Sequence, residues 1–289
     1  MKEIVKEKIA SLLSGDEEIQ SVEQLGGMTN QNYLVQTSSN RYIVKFFGKG
    51  TEKLIDRQNE KFNLELLKDL KLDVENYLFD IEAGIKVNQY IENAETLDSN
   101  TIKTKFEKIA PILQTIHASG KELKGEFAPF EEIKKYESLI QGEISYPNYE
   151  DVRKSVLSLK NELEKIGVDK KSCHIDLVPE NFIEGPDGHL YLIDWEYSSM
   201  NDPMWDLAAL FLESEFTPEE EADFLVYYED DKTPVSREKI RIYKILQDII
   251  WSLWTIYKEE NGADFGDYGI TRYNRAVKEL QSQGGIDED

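Results

Sequence analysis

The sequence predicts an α+β protein of two lobes, with a small antiparallel sheet over residues 1–90 and a mainly helical lobe over 91–289. Three observations carry this. Short strand-like runs separated by turn chemistry crowd the first ninety residues. Helical periodicity dominates afterwards. One apolar hairpin near 181–193 interrupts those helices. At 289 residues the chain is also long for one compact core.

In order, MKEIVKEKIASLL alternates charged and apolar residues at helical spacing, which predicts a helix over 2–14. The segment Leu25–Asn32 then joins that helix to a strand, Tyr33–Gln36. A second strand, Arg41–Phe47, follows the turn Thr37-Ser38-Ser39-Asn40. Residues 52–70 predict a helix whose apolar face holds Leu54, Ile55, Phe62, Leu66, Leu67 and Leu70. Two more strand-like runs end at Val87–Ile91. Helices are then predicted over 100–118, 130–141, 151–166, 203–214, 218–229, 236–259 and 268–282. The hairpin pairs Asn181–Glu184 with Leu190–Ile193 around Gly185-Pro186-Asp187-Gly188, and Gly284–Asp289 reads as a frayed acidic tail.

Hydrophobic residues make up 40% and charged residues 31%, as in a soluble folded protein. No run approaches the roughly 20 apolar residues of a membrane span, and the N-terminus lacks a signal-peptide pattern, so a cytoplasmic protein without membrane insertion is expected. Cys173 is the only cysteine, which excludes an internal disulfide and agrees with a reducing compartment. A net charge of −23 repels nucleic acid and anionic lipid. That field suits a cation, so any phosphate site must supply its own local positive charge.

The most informative stretch is His174-Ile175-Asp176-Leu177-Val178-Pro179-Glu180-Asn181, of the form H-x-D-L-x-x-x-N. In that pattern the Asp contacts an acceptor hydroxyl and the Asn binds a metal ion. The hairpin predicts that Asp194, directly after its second strand, returns beside Asn181, where an amide oxygen and a carboxylate converge as hard ligands for Mg²⁺. Upstream, Lys45 ends a strand where it can neutralise phosphate, and Glu60 on the next helix is placed to hold Lys45. The loop Gly26-Gly27-Met28-Thr29-Asn30-Gln31-Asn32 offers backbone N–H groups to phosphate oxygens. These types suit phosphoryl transfer, which is mostly positioning and cancellation of negative charge.

This set, Lys45, Glu60, His174-x-Asp176-x₄-Asn181 and Asp194, resembles the kinase-like aminoglycoside phosphotransferase superfamily. Within it, Ile193-Asp194-Trp195-Glu196-Tyr197-Ser198-Ser199-Met200-Asn201, continuing to Asp206-Leu207 and Glu213, is similar to the signature of choline/ethanolamine kinases. The resemblance spans roughly residues 20–280. It implies a two-lobed protein-kinase-like fold, ATP and Mg²⁺ as cofactors, and choline as the acceptor. It also implies a hinge near Asn88–Asn93, with adenine on the backbone of Asn88, Gln89 and Tyr90. The compact length resembles bacterial enzymes that supply phosphocholine for surface decoration. Glu196 stands where protein kinases carry the DFG glycine, which speaks against a protein kinase.

Trp251 and Trp254 lie at i and i+3 on one helix. Taken alone, tryptophans at that spacing are ordinarily core residues. The similar W-x-x-W of choline kinases implies instead an aromatic cage for a quaternary ammonium, which has no N–H to donate and is held by ring faces. Tyr268 is a third candidate wall, and Glu196, Tyr197, Asp202 and Gln247 are candidates around the trimethylammonium head. His174 and His117 read as structural. Two other readings stay open from the residues: a related kinase acting on ethanolamine, an aminoglycoside, homoserine or methylthioribose, and a non-catalytic nucleotide-binding pseudokinase.

Overall fold

The computed structural model describes residues 2–13, 17–27, 30–48 and 50–282. Met28 and Thr29 of the predicted phosphate loop and the acidic tail lie outside the described residues. The chain forms two compact units, Met1–Asp98 with Glu180–Tyr197, and Ser99–Pro179 with Ser198–Asp289. Among the described residues no helix is long and apolar enough to cross a membrane.

The first unit is built on a five-stranded antiparallel sheet in the order β1-β2-β3-β5-β4. Its strands are β1 (Ile19–Gln24), β2 (Gln31–Thr37), β3 (Arg41–Phe46), β4 (Asn76–Asp80) and β5 (Ile85–Gln89). Strand alternation sends Tyr33, Val35, Tyr42, Val44, Ile85 and Val87 to one face, where Val5 and Ile9 of α1 (Lys2–Ile9) close the core. Burying each aliphatic side chain there contributes about 1.5–3 kcal/mol. Period two then puts Lys45 and Lys86 on the opposite face, directly across the β3–β5 ladder from one another.

β1 has no counterpart in the sequence reading, because it is an edge strand with no regular alternation of buried and exposed residues. Gly26-Gly27 therefore sits in a β1–β2 connection rather than between a helix and a strand, closed by Leu25 N–H donating to Asn32 O at 2.8 Å. The predicted first helix is also shorter, ending at Ile9.

α2 (Arg57–Leu67) starts at Asp56, whose carboxylate accepts from the N–H groups of Gln58 and Asn59. Its buried residues are Arg57, Glu60, Asn63 and Leu67, at helical spacing, while Phe62 is exposed. The helix thus presents a largely polar face inward, sharing only Leu67 with the apolar face that the pattern predicts within it, and residues 51–53 form a separate turn. The predicted hairpin is β8 (Phe182–Glu184) and β9 (Leu190–Leu192), joined by β6 (Glu95–Thr96) into a three-stranded sheet of order β6-β8-β9. Bonds from Leu97 N–H to Phe182 O and from Leu192 N–H to Leu72 O fix the hairpin within this first unit.

The second unit carries α3 (Phe106–His117), α4 (Pro129–Leu139), α5 (Tyr149–Ile166), α6 (Pro203–Glu213), α7 (Pro218–Tyr228), α8 (Arg237–Glu260) and α9 (Tyr268–Ser282). α6 is buried on every side from Pro203 to Phe211, and α8 nearly so from Ile240 to Thr255, which makes them the core helices. A short pair, β7 (Lys171–Cys173) with β10 (Ser199–Asn201), is too brief to leave a periodic signal in the sequence.

Candidate active site

The first unit holds a cluster of charges on the sheet face opposite the apolar core. Lys45 Nζ pairs with Asp194 Oδ1 at 2.6 Å. Glu60 takes Lys86 at 2.7 Å through one oxygen and Arg57 at 2.6 Å through the other. The sequence predicts Lys45 as the partner of Glu60, and the structure corrects this. Lys86 is 2% exposed, burial that makes an unpaired charge costly, so Glu60 serves it. Lys45 reaches the more open Asp194 instead. Burial opposes the Lys86 charge, but Glu60, Asp194 and Asp73 outweigh it and hold the ammonium above its ordinary range. Burial likewise pushes Glu60 up, and Lys86 and Arg57 pull it below the usual carboxylate range.

Asp73, half-buried near the same lysines, is pushed up to about 7 by burial, with Asp194 adding and Lys86, the Val74 N–H and Lys45 offsetting. Between about 3.9 and about 7 the native carboxyl keeps a proton that the unfolded chain releases, so stability falls as pH rises through this window and levels off above it. Asp73→Asn removes that slope. In urea unfolding the variant should gain on the wild type between about pH 5 and about pH 8. A constant difference between the two would show that Asp73 ionises alike in both states.

Ile193 N–H donates to Asn181 O at 2.8 Å, so the hairpin returns the chain to Asn181 one residue before Asp194. Asp194 adopts φ of +67°, a left-handed conformation that costs a non-glycine residue about 1–3 kcal/mol. An amide oxygen and a carboxylate, with a partly open Asp194, fit a hard divalent cation that retains waters and phosphate oxygens. In the predicted phosphate loop, Asn32 Nδ2 donates to Gly26 O at 2.9 Å. A Cβ on Gly27 would meet Asn30 O and Asn32 Nδ2 at 2.7 Å, so only glycine fits there.

Asn88 and Gln89 turn their side chains toward neighbouring backbone and β4. Asn88 Oδ1 accepts from Asn76 at 2.8 Å and Gln89 Oε1 from Glu75 N–H at 3.3 Å. Tyr90 lies beneath the Arg41 guanidinium at 5.7 Å.

In the second unit, His174-Ile175-Asp176 follows β7, with Ile175 at φ +79°. Fully buried Asp206 holds this turn. It accepts from the N–H groups of His174 and Ile175 at 2.8 Å each, and His117 Nε2 lies 3.0 Å from it. His117 Nδ1 meets the Tyr228 hydroxyl at 2.7 Å, and Trp205 Nε1 donates to Ile175 O at 3.0 Å. Cys173 Sγ comes within 4.8 Å of these His and Asp atoms and donates to Asn201 O, so the group is a hydrogen-bonded anchor for the His174–Asp176 turn.

Trp251 and Trp254 stand edge to face with centroids 6.5 Å apart. Phe265 lies 5.0 Å from Trp254 and 6.4 Å from Tyr268, and Phe127 lies 6.5 Å from Trp251, so the aromatic cluster is larger than the sequence predicts. Trp254 Nε1 is buried without a hydrogen-bond partner among the described residues. Tyr268 OH accepts from Arg272 at 2.9 Å, and the same guanidinium pairs with Glu213 at 2.6 Å. Tyr268 is pushed up to about 12 by burial first; Glu213, Asp176 and Asp248 add to it and Arg272 offsets. Asp176 therefore lies within the field of the same phenol.

The other residues predicted for the cation site have structural partners within their own units. Asp202 is fully buried as the N-cap of α6, accepting from Met204 N–H and Asp169 N–H and pairing with Lys239 at 2.8 Å. An acid directly before Pro203 is a helix-start signal, and that role takes precedence. Gln247 is buried and donates to Trp205 O at 2.8 Å, tying α8 to α6. Glu196 is enclosed in the first unit, bonded to Asn30 at 2.7 Å and Arg57 at 2.9 Å, and burial followed by Asp194 pushes its carboxyl up. Tyr197 belongs to the first unit too, at the end of a short turn. Missed altogether were Arg57, Lys86 and Asp73. A lysine between Ile85 and Val87 in a strand was the available signal for Lys86.

The sequence model of the Choline/ethanolamine kinase family matches residues 22–241. LicA of Haemophilus influenzae is 31% identical over 266 residues, covering 88% of this chain and 99% of that one. A crystal structure of the choline kinase LicA from Streptococcus pneumoniae superposes with a TM-score of 0.95 at 76% identity, covering 98% of this chain and 99% of the other. A structure of LicA in complex with AMP superposes at 0.92 with 77% identity, covering 97% and 98%. With the motifs, the fold and these relatives in agreement along most of its length, the chain belongs to the choline/ethanolamine kinase family.

Proposed function

We propose that this protein is a choline kinase that moves the γ-phosphoryl group of ATP onto the choline hydroxyl with Mg²⁺. The observation that carries the reading is the aromatic cluster of Trp251, Trp254, Phe265 and Tyr268, with Glu213 tied to it through Arg272 and Asp176 in its field. Ring faces attract a quaternary ammonium that no hydrogen-bond acceptor can hold, and Glu213 adds charge. The LicA relatives, one of them seen with AMP, support the same assignment.

The first unit takes the nucleotide. Backbone N–H groups at Gly26-Gly27, with Asn30 and Asn32, face the phosphates, and adenine lies against the backbone of Asn88–Tyr90. Lys45 exchanges Asp194 for phosphate oxygens, while Lys86 keeps Glu60 in place. Asn181 and Asp194 would hold Mg²⁺, which neutralises phosphate charge when bound. The second unit takes the acceptor. Asp176 orients the choline hydroxyl and accepts its proton late, as the P–O bond forms.

An ADP-release assay with choline, ethanolamine, kanamycin and homoserine tests this. Choline should turn over fastest, and a higher rate with kanamycin or homoserine would overturn the acceptor. Trp254→Ala should raise the choline KM about tenfold with little change in the ATP KM. Equal rises in both would remove the cage.

A further inference from the structure

Arg57 occupies the first turn of α2, where the helix dipole disfavours a cation, yet it is 8% exposed. Three separate segments converge on its guanidinium. Nη1 lies 2.6 Å from Glu60 Oε2 and 2.9 Å from Glu196 Oε2, and Nη2 donates to Asn30 Oδ1 at 3.0 Å. Asn30 Nδ2 returns a 2.7 Å bond to the same Glu196 oxygen, and the Phe47 ring supports the guanidinium at 4.1 Å. A lysine has one nitrogen and cannot serve this fork. Asn30 belongs to the phosphate loop, Glu60 holds Lys86 on the nucleotide face of the sheet, and Glu196 lies two residues after Asp194.

We propose that Arg57 is a positioning residue that locks the phosphate loop, through Asn30, to the Asp194–Glu196 segment, so that the loop and the metal-binding carboxylate are held in one register for the nucleotide. The proposal rests on the nucleotide half of the function above and not on the identity of the acceptor. Glu196 accordingly serves the donor side of the reaction through Arg57.

The test uses Asn30→Ala, Arg57→Lys and the double variant, with ADP affinity measured by calorimetry in the absence of acceptor and both KM values by steady-state kinetics. Asn30→Ala removes no charge, and Arg57→Lys keeps a cation beside Glu60 and Glu196, so neither leaves a buried acid alone. Each single variant should bind ADP about tenfold more weakly with the choline KM unchanged. The double variant should be no weaker than the worse single one, because both break one link. Guanidinium added to Arg57→Gly should restore part of the lost affinity, which a bulk loss of stability would not permit. Additive losses in the double variant, or equal rises in both KM values, would overturn the lock. Failure of the wild type to bind ADP would remove it together with the nucleotide reading. Tight ADP binding with the predicted coupling but no turnover of choline would sustain the lock and remove only the acceptor.

Discussion

Asp176→Ala should eliminate phosphocholine formation, lowering kcat by about 10²–10⁴-fold, while ADP binding is retained. Asp176 follows the strained Ile175, and Asp206 fixes the two preceding backbone N–H groups. The carboxylate is thereby delivered to a set position rather than left to find the hydroxyl by diffusion. Its removal takes away both the orientation of the acceptor and the site that receives the proton. Asp176→Asn keeps the size but cannot take a proton, so it should fall nearly as far. The substitution alters none of the residues proposed to hold the nucleotide, so calorimetry with ADP should read close to wild type. Turnover retained in either variant would take Asp176 out of the mechanism.

The second large effect belongs to Asp206, which touches no substrate. Asp206→Ala should reduce stability by about 3–5 kcal/mol and lower kcat more than either KM. The substitution leaves the N–H groups of His174 and Ile175 buried without acceptors, each costing about 1–3 kcal/mol. It also strands His117 Nε2 and frees Ile175 from its left-handed conformation. Asp206→Asn is the sharper probe, because one amide oxygen can serve one N–H while its NH₂ group faces a second donor. Urea unfolding and steady-state kinetics on both variants read the two consequences separately. Near-native stability together with native kcat in Asp206→Ala would show that the loop holds its shape without this anchor.

The readings that held and those that did not divide by physical cause. The hairpin and the core strands were legible because a period of two and the Gly185–Gly188 turn write themselves into consecutive residues. The long helices α5, α8 and α9 were legible for the same reason at a period of 3.6. β1, β6, β7 and β10 were not, since edge strands and two- or three-residue bridges carry too few alternations to stand out. α2 misled because its inward face is polar, and a hydrophobic pattern is silent about a helix that packs on charges.

Local order along the chain was enough for family and fold class, because each depends on residue type at fixed spacing. Partner choice among buried charges was decided only by the folded packing. Lys45 and Lys86 became neighbours across a ladder, Glu60 went to the more enclosed of the two, and Glu196 and Asp202 were drawn to Arg57 and Lys239. An ion pair is set by distance and desolvation in three dimensions, and neither quantity is written in the spacing of residues 30, 57 and 196.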